Sequence, residues 1–421
     1  MEPFAFIMDF SHDPNRKSWI ESANQPDTDF PIQNLPYASF RKRGEERTRV
    51  GVAIGDMVLD ASDALGIESL LAVMAMTRRE RTGLRHRLSE LLASYSPATE
   101  RAILLISEVD LLLPCDIPDY TDFFASLDHA ANVGSLFRSD KPLSPNYKWI
   151  PIAYHGRASS IVLSGTPVHR PSGQIVPNSG EPPIYSPTRM LDYELEVGAF
   201  LGPGNRMGQP IPTASAEDHL VGVCLLNDWS ARDIQSWEYQ PLGPFLAKNF
   251  GTSISPWVVT LDALEPFRTT ARSRPAGDPQ PLPYLQDSSA AAFRITLEVW
   301  LRSAKMPEPV RVSQSDFASL YWTLSQMIAH HSSNGCPLRP GGLIGSGTVS
   351  GPLKQNQGCL LELTRRGADP LQLPSGETRA FLADGDEVIL KAWCEAGREA
   401  STFRRIGLGE CRGMILPALA A

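Results

Sequence analysis

The stretch MLDYELEVGAFLG, residues 190–202, alternates strictly, with Leu191, Tyr193, Leu195, Val197 and Ala199 on one side and Asp192, Glu194 and Glu196 on the other. A period of two is the signature of a β-strand. Same-face neighbours on a strand lie roughly 6.6 to 7 Å apart, so like charges there repel unless solvent or a cation lies between them. The chain must leave that face wet, as an ordinary solvated edge, or build a cation site against it. The alternation alone fits both.

The chain has 421 residues and 42% hydrophobic content, enough for a large core and for more than one domain. A net charge of -8 without a basic run argues against nucleic acid or an anionic membrane surface as the main partner, and leaves a small molecule as the default. The first residues, MEPFAFIMDFSHDPNRK, lack the apolar core and early basic residues of a leader, and no later stretch approaches a bilayer span. A cytoplasmic location is expected. The cysteines at 115, 224, 336, 359, 394 and 411 show no CxxC spacing and no N-x-S/T sequon occurs, so all six read as free thiols.

TRVGVAIGDMVLDAS holds two β-branched-rich runs joined at Gly55-Asp56, a hairpin signal. Apolar spacing then predicts amphipathic helices over 66–76, 83–94 and 98–108. The Pro-containing segment LLLPCDIPDY marks a boundary, giving units of 1–118 and 119–421. Short strands with Pro/Gly breaks, as in SGTPVHRPSGQIVPN and LRPGGLIGSGTVSG, predict a mostly antiparallel β-core with a few helices in the second unit. No repeat of fixed period is visible.

A second acidic group lies in DYTDFFASLDHAANVGSLFR, where a helix is expected from Asp122 to Gly134 with Asp122, Ser126, His129 and Val133 on one face. Asp122 and His129 would then stand roughly 10 Å apart along the axis, too far to share one cation. VGVCLLND reads as an apolar strand delivering Asp228, after which a helix is expected to start with Ser230 as its cap. From there Asp228, Arg232, Gln235 and Tyr239 form a polar stripe, a spacing that serves a solvated face equally well. Lys248 and the GTS turn at 251–253 follow a Pro-Leu-Gly-Pro break that can bring them back toward Asp228. GPGNRMG at 202–208 lacks the Lys-Ser/Thr of a phosphate loop, DGDE at 384–387 lacks the other ligands of an EF-hand, and His330-His331 suit a helix C-terminus.

With DFPIQNLPYASF, RVGVAIGD, IPDYTDFFAS, AYHGRASSIVLSGTP, LDYELEVGAF, LLNDWSARDIQSWEYQPLGPFLAKNFGTSISPW, HHSSNGCPLRPGGLIGSGTVSG, LLEL and FLADGDEV, the chain resembles the fumarylacetoacetate hydrolase family over nearly its whole length. The resemblance implies a mostly β fold with some α: an N-terminal SH3-like β-barrel domain, then a C-terminal mixed β-roll domain holding the active site, in a cytosolic homodimer. It implies an enzyme that hydrolyses the carbon-carbon bond of 4-fumarylacetoacetate, a small β-diketo acid, to fumarate and acetoacetate, the last step of tyrosine and phenylalanine breakdown. By the same resemblance Asp122, Glu194, Glu196 and Asp228 bind a catalytic divalent cation, Ca2+ in known members, and a structural Mg2+ lies near Asp228, Lys248 and Thr252. His129 is then the base with Glu362 behind it, Lys248 assists catalysis, and Arg138, Gln235, Tyr239 and Thr348 hold the substrate.

One departure stands out. Phe124 occupies a position where the family usually has tyrosine, so one hydrogen bond to substrate is expected to be missing. Rival readings are an acylpyruvate hydrolase or a keto-acid decarboxylase of the wider family, and a β-scaffold that only binds a ligand; retention of His129, Glu362 and Lys248 argues against the last.

Overall fold

A computed structural model describes residues 8–137, 140–178, 180–287, 291–395 and 403–420, and Arg138 lies outside them. The architecture is mixed and strand-rich, with curled sheets.

Strands Ile103–Leu105, Met57–Asp60, Arg49–Ile54, Tyr37–Lys42 and Val109–Leu112 form a five-stranded sheet in that spatial order. The expected hairpin is present, turning at Gly55 with φ of 60°. The two edge strands are successive in the chain and joined only by Ile106–Glu108. Across a flat sheet they would stand roughly 19 Å apart, farther than so short a link reaches, so the sheet must curl.

Helices Leu70–Met74 and Arg78–Ala93 lie close to their expected places, each started by a side-chain cap from Ser69 and Thr77 respectively. The helix expected over 98–108 is corrected: it stops at Glu100, and Ile103–Leu105 pairs with Met57–Leu59 as an edge strand. The apolar run Ile-Leu-Leu gains a ladder there that outweighs a weak helical period.

The larger sheet has eight strands. Ala153–His155, Tyr120–Phe123, Leu343–Gly345, Leu195–Leu201, Leu220–Asp228, Thr252–Ile254 and Ile161–Leu163 lie side by side, and Val259–Thr260 also pairs with Leu220–Asp228. One face, carrying Leu195, Val197, Ala199, Val223 and Leu225, packs against Leu297, Val299, Val388 and Leu390 of a second five-stranded sheet. On the opposite face Phe200, Cys224 and Leu226 pack with Tyr37, Val52, Ile54 and Leu88 of the N-terminal part.

Glu196 shares a face with Phe200, and Asp228 with Cys224 and Leu226, because alternate residues of a strand point the same way. The N-terminal part therefore seals the apolar end of this face. The acids stand at the other end.

Candidate active site

The strand predicted over 190–202 is split. Leu191–Asp192 pairs with Ser230–Ala231, whereas Leu195–Leu201 pairs with Leu220–Asp228, leaving Tyr193 and Glu194 at the join. Its acids are not a solvated edge: Glu194 is 6% exposed, and Asp192 and Glu196 are fully buried.

Two expected helices are corrected here. Asp122 lies on the strand Tyr120–Phe123, and the helix is Leu127–Phe137, starting after Ser126, whose Oγ accepts the His129 N–H at 3.2 Å. Asp228 ends its strand, Ser230 sits in a short strand with its Oγ donating to the Asp228 carbonyl, and the helix Arg232–Glu238 starts without a side-chain cap. The stripe from Asp228 to Tyr239 is therefore not one helix face. Sheet pairing wins in both cases: Tyr120–Phe123 is buried with a strand paired on either side, and Ser230–Ala231 is buried against Leu191–Asp192.

That pairing gathers the acids. Gly345 faces Asp122 on one neighbouring strand and Gly198 on the other, and Asp228 faces Thr252. Asp122, Glu194, Glu196 and Asp228 each place a carboxylate oxygen within 4.8 Å of the others, all of them buried. Lys248 Nζ donates to Glu194 Oε2 and Asp228 Oδ2, both at 2.6 Å, and Thr252 Oγ1 donates to Asp228 Oδ1 at 3.0 Å. Arg232 Nη1 donates to Glu194 Oε1 at 2.7 Å.

Lys248 and Arg232 do not offset four carboxylates. Burial, then the neighbouring Asp228, pushes the Asp122 carboxyl well above the usual carboxylate range, and burial with Asp122 does the same to Glu196. Burial alone would raise Glu194 too, but Lys248 and then Arg232 hold it low. Asp122 Oδ1 and Glu196 Oε1 are buried with no hydrogen-bond partner among the described residues. A β-carbon on Gly345 would come within 2.5 Å of Asp122 Oδ1 and 3.0 Å of Glu196 Oε2, so glycine there leaves the carboxylates room. Clustered hard oxygen ligands, orphaned acceptors and excess negative charge fit a divalent cation such as calcium or magnesium.

His129 stands apart from this cluster. Its Nδ1 lies 2.7 Å from Glu362 Oε2, and both side chains are buried. Glu362 Oε1 accepts from Asn132 Nδ2 at 2.8 Å, while Oε2 also accepts from Ser350 Oγ at 2.8 Å and Cys359 Sγ at 3.2 Å. Burial works against ionisation of Glu362, but His129, Asn132 and Ser350 hold its carboxyl low. An ionised Glu362 orders the Nδ1–H tautomer and leaves Nε2 free as a base.

Gln235 Oε1 accepts from Arg232 Nη1 at 3.2 Å, which orients the Gln235 amide. Thr348 is buried with Oγ1 unpartnered among the described residues. Tyr239 caps the C-terminus of its helix and is half exposed. Phe124 meets the His129 ring edge-on, with centroids 5.2 Å apart.

Asn132, Tyr154 and Ser350 escaped the sequence reading, Asp192 was seen only as one of the strand's acids, and Arg232 only as part of a stripe. Tyr154 faces Asp122 across the sheet and donates to Asp228 Oδ2 at 2.8 Å. Asn132 lies three residues after His129 on the same helix, an offset that reading the helix face would have found. Tyr154 and Ser350 are brought in by long-range pairing and loops, which leave no local signal.

Residues 33–114 match the family model "Fumarylacetoacetase N-terminal", and residues 120–415 match "Fumarylacetoacetate (FAA) hydrolase C-terminal". The chain is 47% identical to the human fumarylacetoacetase over 93% of its own length and 97% of the relative's. It is 46% identical to the Arabidopsis thaliana fumarylacetoacetase, over 96% and 99%. Among solved structures, the fumarylacetoacetate hydrolase of psychrophilic Exiguobacterium antarcticum is similar in fold, with a TM-score of 0.52 at 17% identity over 91% of this chain and 99% of that one.

Proposed function

The chain belongs to the fumarylacetoacetate hydrolase family, and we propose from that membership how its buried site performs the reaction. It is a hydrolase that cleaves the carbon-carbon bond of 4-fumarylacetoacetate to give fumarate and acetoacetate. The observation that carries the assignment of roles is the pairing of a four-carboxylate cluster with a separate His129–Glu362 dyad.

Hydrolysis of a β-diketone adds water to one carbonyl and expels a carbon fragment as an enolate, which then takes up a proton. His129 removes the proton from the attacking water, and Glu362 stabilises the imidazolium that results. Lys248 and the Gln235 amide donate to the oxyanion of the tetrahedral intermediate. Arg138 pairs with a substrate carboxylate, and Tyr239 and Thr348 complete the binding site. Asp122, Glu194, Glu196 and Asp228 hold the divalent cation, which when bound supplies a Lewis acid for charge developing on the diketone oxygens.

The finer reading assigns Ca2+ to the four carboxylates and a structural Mg2+ to the neighbourhood of Asp228, Lys248 and Thr252. The clustered carboxylate oxygens and the flexible geometry that Ca2+ accepts support Ca2+ there, and the oxygens of Asp228 and Thr252 support Mg2+ beside them, where the Lys248 side chain is an ammonium that donates to Asp228 and offers the ion no ligand atom. It also divides the chain into units of 1–118 and 119–421, the first closing as an SH3-like barrel; the curl of the first sheet supports this. A homodimer is supported by the exposed apolar side chains of Trp237, Leu242, Phe245 and Leu246, and a cytoplasmic location by six free cysteines.

The test is turnover of fumarylacetoacetate before and after chelation. Cleavage that is lost with chelator and restored by Ca2+ is expected. A metal-replete protein that leaves fumarylacetoacetate intact, or turnover indifferent to chelation, overturns the reading.

A further inference from the structure

We propose that Asp192 is a positioning residue that ties the metal-binding half of the site to the base half. The proposal rests on the roles given above to Glu194 and Glu362. Asp192 is fully buried and accepts four hydrogen bonds. Its Oδ1 takes the backbone N–H of Leu360 at 2.8 Å and of Tyr193 at 2.9 Å; its Oδ2 takes that of Leu361 at 3.0 Å and Arg232 Nε at 2.9 Å.

These partners lead in two directions. Arg232 uses its other arm, Nη1, to grip Glu194 Oε1, so a carboxylate on each side fixes the guanidinium in plane. Leu360 and Leu361 immediately precede Glu362, whose carboxylate orients His129. One side chain therefore sets both the angle at which Arg232 meets a metal ligand and the place of the short turn carrying Glu362. Backbone pairing of Leu191–Asp192 with Ser230–Ala231 brings Arg232 beside Asp192, and the Asp192 carboxylate adds the link to Leu360 and Leu361 on a third element.

Asp192 also differs from the acids after it. Among the described residues Glu196 keeps an unpartnered buried oxygen, whereas both oxygens of Asp192 are filled by donors of the chain itself. It is thus built as framework, and it is not one of the four clustered carboxylates.

The experiment compares wild type with Asp192→Asn, which keeps the shape but presents an amide NH2 to a place where only donors converge. Ca2+ affinity is measured by calorimetry on the full chain, and kcat and KM for fumarylacetoacetate at saturating Ca2+. We expect Ca2+ binding weakened roughly tenfold or more and kcat lowered roughly tenfold or more, with KM within about threefold, the range seen when groups behind a metal or base are removed. The double variants Asp192→Asn/Glu194→Gln and Asp192→Asn/Glu362→Gln should show non-additive effects on Ca2+ affinity and on kcat respectively. Additive effects in either pair, or wild-type Ca2+ affinity in Asp192→Asn, overturn the proposal. If Asp192→Asn does not fold, Arg232→Lys tests the metal side of the link, because lysine cannot hold both carboxylates at once: Ca2+ affinity is expected to fall roughly tenfold, and wild-type affinity overturns the proposal. Wild-type protein that fails to cleave fumarylacetoacetate would sink the proposed function; active wild type with an unaltered Asp192→Asn would sink only this inference.

Discussion

Two buried polar clusters lie side by side in this molecule, and they are built on opposite principles. Around Glu362 every carboxylate oxygen is claimed by the chain, from His129, Asn132, Ser350 and Cys359. At Asp122 and Glu196 one oxygen of each carboxylate has no partner among the described residues, and the carboxyls are pushed well above their usual range. Burial is near complete in both, so burial alone does not decide the state of a carboxyl. What differs is whether donors belonging to the chain face it. A satisfied cluster fixes geometry, whereas an unsatisfied one marks where a ligand from outside completes the structure.

The comparison breaks most visibly at His129. With His129 as the proposed base, His129→Ala should lower kcat by about 10² to 10⁴ while leaving Ca2+ affinity near wild type, since the imidazole lies outside the carboxylate cluster. Glu362→Gln should give a smaller loss of the same kind, because the imidazole remains but its orientation and its protonated form are less well supported. Rates with parallel Ca2+ titrations check both. Loss of Ca2+ binding in His129→Ala would merge the two clusters into one.

Gly345→Ala attacks the other cluster without touching a charge. The new methyl would sit 2.5 Å from Asp122 Oδ1, and overpacking of this kind costs about 1 to 3 kcal/mol. If that falls on the carboxylate arrangement, Ca2+ affinity drops roughly fivefold to a hundredfold, and kcat at saturating Ca2+ recovers. Calorimetric titration separates this from general destabilisation, in which melting temperature falls but affinity stays.

How much of this could be read beforehand follows from which contacts are local. The alternation of LDYELEV announced a strand with an acidic face, and VGVCLLND announced a strand ending in Asp228; both hold apart from the break at Tyr193. DYTDFFASLDHAANV misled because its strand and helix adjoin, with the period changing from two to 3.6 at Ser126; that serine, three residues before His129, was the available cap signal. The meeting of Asp122 with Glu196 had no local signal at all. It depends on Leu343–Gly345 inserting between their strands, parallel to one and antiparallel to the other, and only family resemblance had placed those acids together.

The two clusters should also respond differently to pH. Asp122 and Glu196 have folded-state carboxyl pKa values raised above their unfolded ones, through burial first and then neighbouring carboxylates. Groups of that sign contribute stability that is fully present below the unfolded pKa and lost as pH rises through the folded one. The contribution of these two groups to the metal-free protein's stability therefore falls as pH climbs, and a bound cation restores it. Glu362 has the opposite sign: its contribution is present above the unfolded pKa and lost only as pH falls through its lowered folded value. The gap in melting temperature between Ca2+-loaded and chelated protein should accordingly be wider at about pH 8 than at about pH 5.5. A gap that narrows with rising pH would mean that Asp122 and Glu196 are not the carboxyls that the cation relieves.

The smallest expected effect lies where the clusters meet the substrate. Phe124 packs edge-on against His129 and against Tyr147, with centroid distances of 5.2 and 5.8 Å, and so forms an apolar wall beside the imidazole. The ring is only partly buried, which leaves room for a hydroxyl without rebuilding the core. Phe124→Tyr should lower KM for fumarylacetoacetate, because one neutral hydrogen bond adds about 0.5 to 1.5 kcal/mol, equivalent to roughly a twofold to tenfold change. Turnover at saturation should move little, since His129 and Glu362 keep their contact. Steady-state kinetics on the two proteins decide the matter. An unchanged KM would mean that the wall serves the base rather than the substrate, and a fall in kcat would show that a polar group beside the imidazole disturbs the dyad, drawing Phe124 into the satisfied cluster as its apolar side.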